Sequence, residues 1–567
     1  MASLKRPTIF TAGLILLLSV SAQAAVTPEQ EIRARELQKK EEKLREKVER
    51  PRKPAEQEVL PALPTAPESA EKALITKINV TGFTILSDKE INAIIAPFEN
   101  KELTMKDMQH VANLITDAYR QKGYVNSTAY LPPQDIKQGV LEIKVVEVLT
   151  GNVEIKGNRY FKTSLLRQKI HLKAGEPFNY NVLKEGITEI NKQPDRNAHA
   201  VLMPGKEPRS TDVVLEVKDR LPLHAGFSYD NFGSRYINKN RYGVNLADDN
   251  LFGWDDKLSA QFQATEASRY SSEGVNYALP VGKSWEAGFS AYFSKVKLGR
   301  ELEDYDIVGK SRMYGVYARN AFINKEDLDI NLNFGLDDKD VINSQQGEVT
   351  SHDRLFVAKT GFDVDVADQD SRTLSTYELD AGLPHVLGSM SAKDPDASVN
   401  GAGGKFVKHT INLLRLQSLP WSTQVLWKNQ LQVSPYVLPS VEQFQIGGIA
   451  NVRGYAPATA VGDSGFATTL EWSLPVYPVS KNVQVPFSKA KLYDALRLAV
   501  FYDYASSHLR EPSGDTKKNA TLRSVGCGLR FNLPENFALK LDLAWPSAKK
   551  PSDHDTLHTW LQVSKNF

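Results

Sequence analysis

Strict alternation of apolar and polar residues runs through the segment 220–567, and this period of two constrains the fold more than any other feature of the sequence. In "ALRLAVFYDYAS", Leu498 and Val500 fall on one face of an extended chain, whereas Asp503 falls on the other. The stretch "NFALKLDLAWP" alternates in the same way. A period of two predicts β-strands with one apolar face, so the segment is expected to be all-β.

Charges on the polar face of these strands separate two all-β architectures. A soluble sandwich would bury them in a dry core, which is costly, whereas a membrane barrel turns them toward a watery lumen. At roughly 10 residues per spanning strand plus loops, the segment holds about 14 to 18 strands, enough to enclose a channel. The mean hydropathy of -0.37 is also typical of a soluble protein, but it does not exclude a barrel, because only alternate residues of a barrel strand face lipid. The mid-strand charges on the predicted lumen face are Arg497, Asp503, Lys540 and Asp542.

Residues 1–24 have the organisation of a secretory signal peptide. Lys5 and Arg6 precede an apolar run, and "AQA" follows as a small-x-small cleavage signal. Beyond this leader no run of 18 or more apolar residues predicts a membrane helix. The single cysteine, Cys527, cannot form an intrachain disulfide and falls on the apolar face of its strand. Export alone leaves three classes open: a secreted enzyme, a periplasmic binding protein and an outer-membrane barrel.

Residues 25–50 are predicted to form a charged helix on a tether. The stretch "TPEQEIRARELQKKEEKLREKVER" is rich in helix formers, with opposite charges often three or four residues apart. Its few apolar residues form only a thin seam, so the helix is expected to lie either in water or in a polar channel. The proline-rich segment 51–72 that follows favours an extended linker.

Two consecutive α/β units are predicted between the linker and the barrel, over 73–149 and 150–219. Each is expected to run strand, helix, helix, strand, strand, and the repeat supports the assignment of both. In the first unit, Ser87 and Glu90 have the spacing of a capping box, and Gly123 ends the second helix.

Several other signals are weak. The net charge of +2 provides no bulk basicity for a nucleic-acid partner. The stretch "VGDSG" at 461–465 is similar to the nucleophile segment of chymotrypsin-like proteases, but no histidine occurs in a matching context. His554 and His558 make at most two metal ligands without a third. No P-loop or dinucleotide fingerprint is present. We therefore expect no catalytic residue, no metal site and no cofactor.

The order of segments, together with "VRGY" at 452–455, resembles the two-partner secretion transporters of the haemolysin and filamentous-haemagglutinin exporter type. These belong to the superfamily of the Bam barrel insertase. The resemblance covers essentially the whole chain after the leader. It implies that the α/β units are periplasmic POTRA domains, that the outer-membrane barrel has sixteen strands, and that the helix at 25–50 plugs the pore.

The resemblance also implies roles for particular residues. The tetrad would lie at the tip of a long loop folded back into the barrel, where Arg453 pairs with an aspartate of the inner wall. "FYDYA" matches the wall motif at Phe501 and Asp503, but Ala505 stands where glycine is usual. Phe567, the last residue, would be the C-terminal signal for barrel assembly. The full loop motif is Val452, Arg453, Gly454 and Tyr455.

The partner implied is one large secreted exoprotein with an N-terminal secretion domain, such as a haemolysin, an adhesin or a contact-dependent toxin. The POTRA domains would recognise it unfolded in the periplasm, and export would need no nucleotide. Outer-membrane lipids would surround the barrel, and the Bam machinery would insert it. The alternative is a Bam-type insertase, which usually has more POTRA domains and lacks the charged plug helix.

Overall fold

The computed structural model describes Glu41, Pro64, 71–136, 138–325, 327–477, 480–486, 488–512, 517–547, 551 and 553–567. The predicted signal peptide, most of the predicted linker and all of the predicted plug helix except Glu41 lie outside these residues. The chain divides into two compact units. One comprises Lys53–Pro222, and the other contains Leu223–Phe567 together with Glu41.

The first α/β domain contains a three-stranded sheet of order β2-β5-β4 and a two-stranded sheet of β1 and β3. The sequence predicted a single strand before the first helix, but the structure has two, because the Thr76 amide turns away to donate to the Gly139 carbonyl (2.8 Å). A further strand that the sequence did not predict, β3, lies between the two helices. The elements are β1 (Lys72–Ile75), β2 (Lys77–Thr81), α1 (Asp88–Ile95), β3 (Lys101–Thr104), α2 (Met105–Gln121), β4 (Thr128–Tyr130) and β5 (Val140–Val146).

Capping residues set the ends of the helices in this domain. The predicted capping box is confirmed at α1, since the Ser87 hydroxyl accepts from the Glu90 amide and the Glu90 carboxylate accepts from the Ser87 amide. Thr104 and Asp107 form a second box at α2, which the sequence reading missed. Gly123 follows α2 with a φ of +89°, a conformation that costs glycine little.

The second α/β domain has the predicted order of strand, helix, helix, strand and strand. Its sheet runs β6-β8-β7, with β6 and β8 parallel. Asn179 caps the second helix by accepting from the Asn181 amide (2.9 Å). No helix among the described residues is long and apolar enough to cross a membrane. The elements are β6 (Leu149–Lys156), α3 (Thr163–Lys169), α4 (Tyr180–Asn191), β7 (Arg196–Pro204) and β8 (Ser210–Asp219).

The barrel is closed and has sixteen antiparallel strands, which confirms the predicted fold. Its last strand pairs with its first, over Gln562–Asn566 and Gly226–Asp230. The strands are β9 (Leu223–Asp230), β10 (Arg241–Asp248), β11 (Lys257–Thr265), β12 (Tyr270–Val281), β13 (Trp285–Lys297), β14 (Ile307–Asn324), β15 (Leu328–Gln345), β16 (Glu348–Ala367), β17 (Ser371–Gly382), β18 (Phe406–Leu419), β19 (Thr423–Val433), β22 (Ser464–Pro475), β23 (Leu496–His508), β24 (Asn519–Leu533), β25 (Phe537–Pro546) and β26 (His558–Asn566).

The two faces of the barrel strands follow the predicted alternation. On β23, Leu498 and Val500 are exposed on the outer surface, whereas Asp503 is buried on the lumen side. Cys527 lies on the outer, apolar face of β24 beside Val525. Between β22 and β23 a short helix, α5 (Leu492–Ala495), precedes the strand. The pattern therefore predicted which residues face the lumen.

Candidate functional site: a buried ionic cluster at the tip of an in-folded loop

The longest described excursion from the barrel wall is the loop 434–463, between β19 and β22. It contains a small hairpin of β20 (Phe444–Ile446) and β21 (Ala460–Gly462). The residues beyond β20 carry the "VRGY" tetrad. Val452 and Tyr455 are at most 1% exposed, so this part of the loop is enclosed by the barrel rather than projecting into solvent.

Hydrogen bonds within the loop give its tip a fixed shape. The side chain of Asn451 donates to the Gln445 carbonyl (2.9 Å) and accepts from the Gly447 amide (2.8 Å). The Gly448 amide donates to the Tyr455 carbonyl (2.9 Å). Gly447 has a φ of +111°, and a Cβ there would lie 2.4 Å from the Ala456 carbonyl oxygen, so glycine is required. The tip is thus a preformed turn that presents Arg453.

The structure brings Arg453 and Asp503 together, as the family resemblance implied. Nε and Nη2 of Arg453 donate to the two carboxylate oxygens of Asp503 at 3.0 and 2.9 Å. The backbone amide of Arg453 adds a third hydrogen bond to Asp503, at 3.1 Å. Both side chains are at most 2% exposed. A bidentate pair of this kind fixes orientation as well as charge.

Two further carboxylates contact the same guanidinium. Nη1 of Arg453 lies 2.8 Å from Glu471 Oε2 on β22 and 3.2 Å from Asp542 Oδ2 on β25. Arg530, on β24, contacts both of these acids. Lys540 Nζ is 3.9 Å from Asp542. The cations Arg453, Arg530 and Lys540 therefore face three anions, and the formal charges balance. The anions are Asp503, Glu471 and Asp542. We call Arg453, Asp503, Glu471, Asp542 and Arg530 the tip lock.

Aromatic and hydroxyl groups complete the surroundings of Arg453. The ring of Phe501 lies under the guanidinium, with 3.2 Å from Cζ to the ring centroid. The indole of Trp560 donates to the Arg453 carbonyl (2.7 Å). The hydroxyl of Ser524 donates to Asp503 (3.1 Å). Phe501 was among the predicted site residues, whereas Trp560 and Ser524 were not.

The other residues of the tetrad fit the loop against the wall. A Cβ on Gly454 would lie 2.6 Å from the Cβ of Ser524 and 2.9 Å from backbone atoms of Trp545 and Pro546 at the end of β25, so only glycine allows this approach. Val452 and Tyr455 belong to an apolar cluster that also contains Ala505. The departure from the family motif at Ala505 is therefore accommodated, because its methyl group packs against the loop.

Glu41 is the described residue of the segment 25–50, and it lies in the barrel unit. Its carboxylate pairs with Lys428 on β19, with 3.2 Å between Oε2 and Nζ. Glu41, Lys428, Lys540 and Asn451 line the same cavity. One residue of the predicted helix thus contacts the inner wall and lines the same cavity as the tip of the loop.

The remaining residues singled out in the sequence lie elsewhere. Phe567 is 66% exposed; its amide donates to the Ala225 carbonyl (2.8 Å), and its ring contacts Phe227 edge-on. Its role as an assembly signal stays a prediction. His558 pairs with Asp553, at 2.9 Å, rather than with His554.

Comparison with known families identifies the class of protein. The profile described as haemolysin secretion/activation protein ShlB/FhaC/HecB matches residues 209–531, more than half of the chain. A ShlB-type POTRA domain matches 73–148, and a surface antigen variable number repeat of the POTRA type matches 148–197. The fold and these matches define an outer-membrane β-barrel transporter with POTRA domains in the periplasm.

Relatives and solved structures agree with that class. The chain is 23% identical to the heme/hemopexin transporter protein HuxB of Haemophilus influenzae (strain 86-028NP) over 84% of each chain. It is also 23% identical to the hemolysin transporter protein ShlB of Serratia marcescens, over 72% of this chain and 73% of that one. The structure of CdiB from Escherichia coli matches with a TM-score of 0.71 at 18% identity, covering 96% of this chain and all of that one.

The chain therefore belongs to the haemolysin secretion/activation family, whose members are outer-membrane transporters of two-partner secretion. A more distant match, BamA from Haemophilus ducreyi lacking POTRA domains 1–3, has a TM-score of 0.53 at 15% identity, over 87% of this chain and all of that one.

Proposed function

We propose that this protein exports one large exoprotein across the outer membrane, and that the contact of Arg453 with the barrel wall is a working part of the export mechanism. The observation that carries the proposal is the tip lock, in which one loop arginine meets carboxylates from three strands of a transporter barrel. A loop that served only as a surface connection would gain nothing from so many directional contacts inside the lumen.

The first step is capture of the unfolded partner by the POTRA domains in the periplasm. The sheet order β6-β8-β7 puts β7 at an edge of the second domain, where an extended chain can add as a further strand. Val201 and Met203 of this strand are 39% and 43% exposed. They provide apolar contacts for a partner's side chains, beside the main-chain hydrogen bonds of the added strand.

The second step is clearance of the lumen. Glu41 contacts Lys428 and lies in the cavity that also borders the loop tip, so the segment 25–50 acts as a plug that must leave before a chain can enter. The proline-rich segment 51–72 allows that withdrawal while keeping the plug attached. The partner then crosses as an extended chain, because a sixteen-stranded barrel is too narrow for a folded domain.

Export in this account uses no nucleotide. The sequence carries no P-loop, and folding of the partner at the cell surface supplies the drive. The partner has an N-terminal secretion domain and belongs to the haemolysins, adhesins or contact-dependent toxins. One relative is named a hemolysin transporter and another a heme/hemopexin transporter, which supports a protein cargo of this type.

The test is secretion of the large exoprotein encoded beside this chain, normalised to folded barrel in the outer membrane. Arg453→Ala is expected to lower export by at least about tenfold, because it leaves the buried Asp503 without its cationic partner and leaves Glu471 and Asp542 with one arginine fewer. The matched control is Arg372→Ala. This change breaks a bidentate pair with Asp365 between neighbouring strands and touches no part of the loop. Export that is unchanged in Arg453→Ala would remove the loop from the mechanism.

A Bam-type insertase is the second candidate, favoured by the match to BamA. Export is favoured by the presence of two POTRA domains and by the TM-score of 0.71 with CdiB, which is higher than the 0.53 with BamA. Deletion of the gene separates the two functions. Loss of the exoprotein from the medium with normal assembly of other barrels supports the exporter, whereas failed assembly of other barrels supports the insertase.

A further inference from the structure

A second buried ionic cluster holds the other end of the same loop. Glu442 lies in a short 3-10 turn, Ser440–Glu442, just before the hairpin. Its Oε1 accepts from Lys339 on β15 at 2.6 Å, and its Oε2 contacts Lys408 on β18. Lys408 also pairs with Asp380 on β17, at 3.1 Å. We call Glu442, Lys339, Lys408 and Asp380 the base anchor.

The base anchor is as dry as the tip lock. All of its side chains are at most 2% exposed, and its two cations balance its two anions. Charges in such a site persist only when they are paired and hydrogen-bonded. The backbone carbonyl of Glu442 also accepts from Gln432, at 2.9 Å, so main chain and side chain are both held.

Apolar packing and hydrogen bonds support the base independently of the tip. Leu438 and Val441 belong to a cluster with Leu355, Val357 and Phe406 of the neighbouring strands. The tip packs in a separate cluster around Val452 and Tyr455. The two ends of the loop therefore share neither their apolar cluster nor their charged partners.

The polarity of the two clusters is reversed. At the base a loop carboxylate meets lysines of β15 and β18, whereas at the tip a loop arginine meets carboxylates of β22, β23 and β25. In the barrel, β15 and β18 lie on one side of β19, whereas β22, β23 and β25 lie on the other, and the loop connects β19 to β22. Opposite polarity prevents either end of the loop from docking at the other's site, because like charges would then face each other.

We propose that Glu442 is a positioning residue that fixes the base of the loop independently of Arg453, so that the tip can leave the wall while the base stays docked. The loop then moves as a hinged arm and not as a single rigid plug. This inference goes beyond the proposed export function, because it concerns how the loop is fastened and is tested without any exoprotein.

The experiment uses two buried valines as matched reporters in full-length protein. The single native cysteine is first removed by Cys527→Ser, a change on the outer surface of the barrel. V441C then reports on the base and V452C on the tip; these valines are 3% and 0% exposed. The rate of labelling by a membrane-impermeant maleimide measures how often each end of the loop opens. Only protein that shows the heat-modifiable migration of a folded barrel is scored.

Two double variants each remove one cation and one anion and leave the local formal charge balanced. K339Q/E442Q leaves Lys408 paired with Asp380, and R453Q/D503N leaves the cations Arg530 and Lys540 with the anions Glu471 and Asp542. Labelling of V441C should rise at least about tenfold in K339Q/E442Q, the change that about 1.4 kcal/mol produces. Labelling of V452C should stay within about twofold in that variant, and R453Q/D503N should give the reverse pattern.

Two results would overturn the inference. An equal rise at both reporters in either double variant would mean that the loop opens as one piece. No change at V441C in K339Q/E442Q would mean that Glu442 does not hold the base. If K339Q/E442Q fails to fold, E442D replaces it. Its shorter side chain keeps the charge but does not span both lysines, so V441C labelling should rise by a smaller factor and V452C labelling should not change.

Discussion

The core of the first POTRA domain and the two ionic clusters inside the barrel are both buried but are chemically opposite. In the POTRA core most of the fully buried side chains are aliphatic, such as Ile75, Val111 and Ile115. In the barrel the fully buried groups include Arg453, Asp503 and Lys408. Aliphatic packing has no preferred direction and gives a permanent core. Hydrogen-bonded ion pairs hold the loop in one orientation. Water or the polar groups of a passing chain can replace either partner of such a pair.

This difference predicts different consequences of substitution in the two regions. A truncated aliphatic side chain should destabilise the POTRA fold itself. A truncated charge in the tip lock should leave the sixteen-stranded ladder intact and release the loop. The following substitutions test that contrast, beginning with the largest expected effect.

Asp503→Asn should have the largest effect. It removes the negative charge that pairs with Arg453 and replaces one of the two accepting oxygens by an amide group that donates, and loss of one partner of a buried ion pair costs about 3–5 kcal/mol. We expect the docked loop to be destabilised by that amount and export per folded barrel to fall at least about tenfold, measured by secretion. Asp365→Asn is the matched control, since Asp365 pairs with Arg372 away from the loop. Equal losses in the two variants would contradict the contrast.

Ile115→Ala should destabilise the first POTRA domain by about 2–5 kcal/mol, because Ile115 is fully buried and the truncation leaves a cavity. The free energy of unfolding is measured by urea denaturation of Lys53–Pro222, followed by circular dichroism. Ile115→Val should cost only about 0.5–1.5 kcal/mol. A loss below about 1 kcal/mol in Ile115→Ala would show that the core relaxes around the gap.

Gly454→Ala should have an intermediate effect on the loop, about 1–3 kcal/mol, because the added methyl group would meet Ser524 and the backbone beyond it. The measurement is V452C labelling in the background without Cys527. Gly335→Ala is the control, since a Cβ there meets no atom closer than 3.6 Å. Labelling that is the same in both glycine variants would show that close approach at Gly454 is not required.

The smallest effect should be the pH dependence of the first POTRA domain. Partial burial raises the pKa of Glu147, but hydrogen bonds from the Thr84 hydroxyl and amide, Tyr119 and Ile85 outweigh it and hold the pKa below its ordinary 4.5. A lowered folded-state pKa contributes stability above the unfolded-state pKa. That contribution is lost as pH falls below 4.5 toward the folded-state value.

Glu147→Gln should therefore flatten the acid limb of the stability curve of Lys53–Pro222. The decline in the free energy of unfolding between about pH 5 and pH 3 should be smaller in the variant than in wild type. Urea denaturation at each pH measures it. An unchanged acid limb would show that other carboxylates dominate.

The barrel and both POTRA folds could be predicted, because their strands and helices leave a periodic pattern of apolar residues in the sequence. Alternation placed Asp503 and Asp542 on the lumen face, where the structure has them. Glu471 could have been found in the same way. It is a single charge between Leu470 and Trp472, both exposed on the outer surface.

The pairings themselves could not be predicted. Which lumen charges meet depends on strand register and on a loop that folds inward, and neither leaves a periodic signal. Glu442 lies in an irregular turn, and Trp560 reaches Arg453 from the last strand. The family resemblance implied the pair of Arg453 with Asp503, but it did not imply the other acids, Arg530 or the base anchor.

Arg453→Lys tests the central claim most directly, because lysine keeps the positive charge but cannot donate in two directions to Asp503 while also reaching Glu471 and Asp542. The measurement is exoprotein secreted per folded barrel, at equal barrel levels. If the directional contacts matter, Arg453→Lys should lose most of the export that Arg453→Ala loses. Wild-type export by Arg453→Lys would show that charge alone is sufficient and would contradict the account.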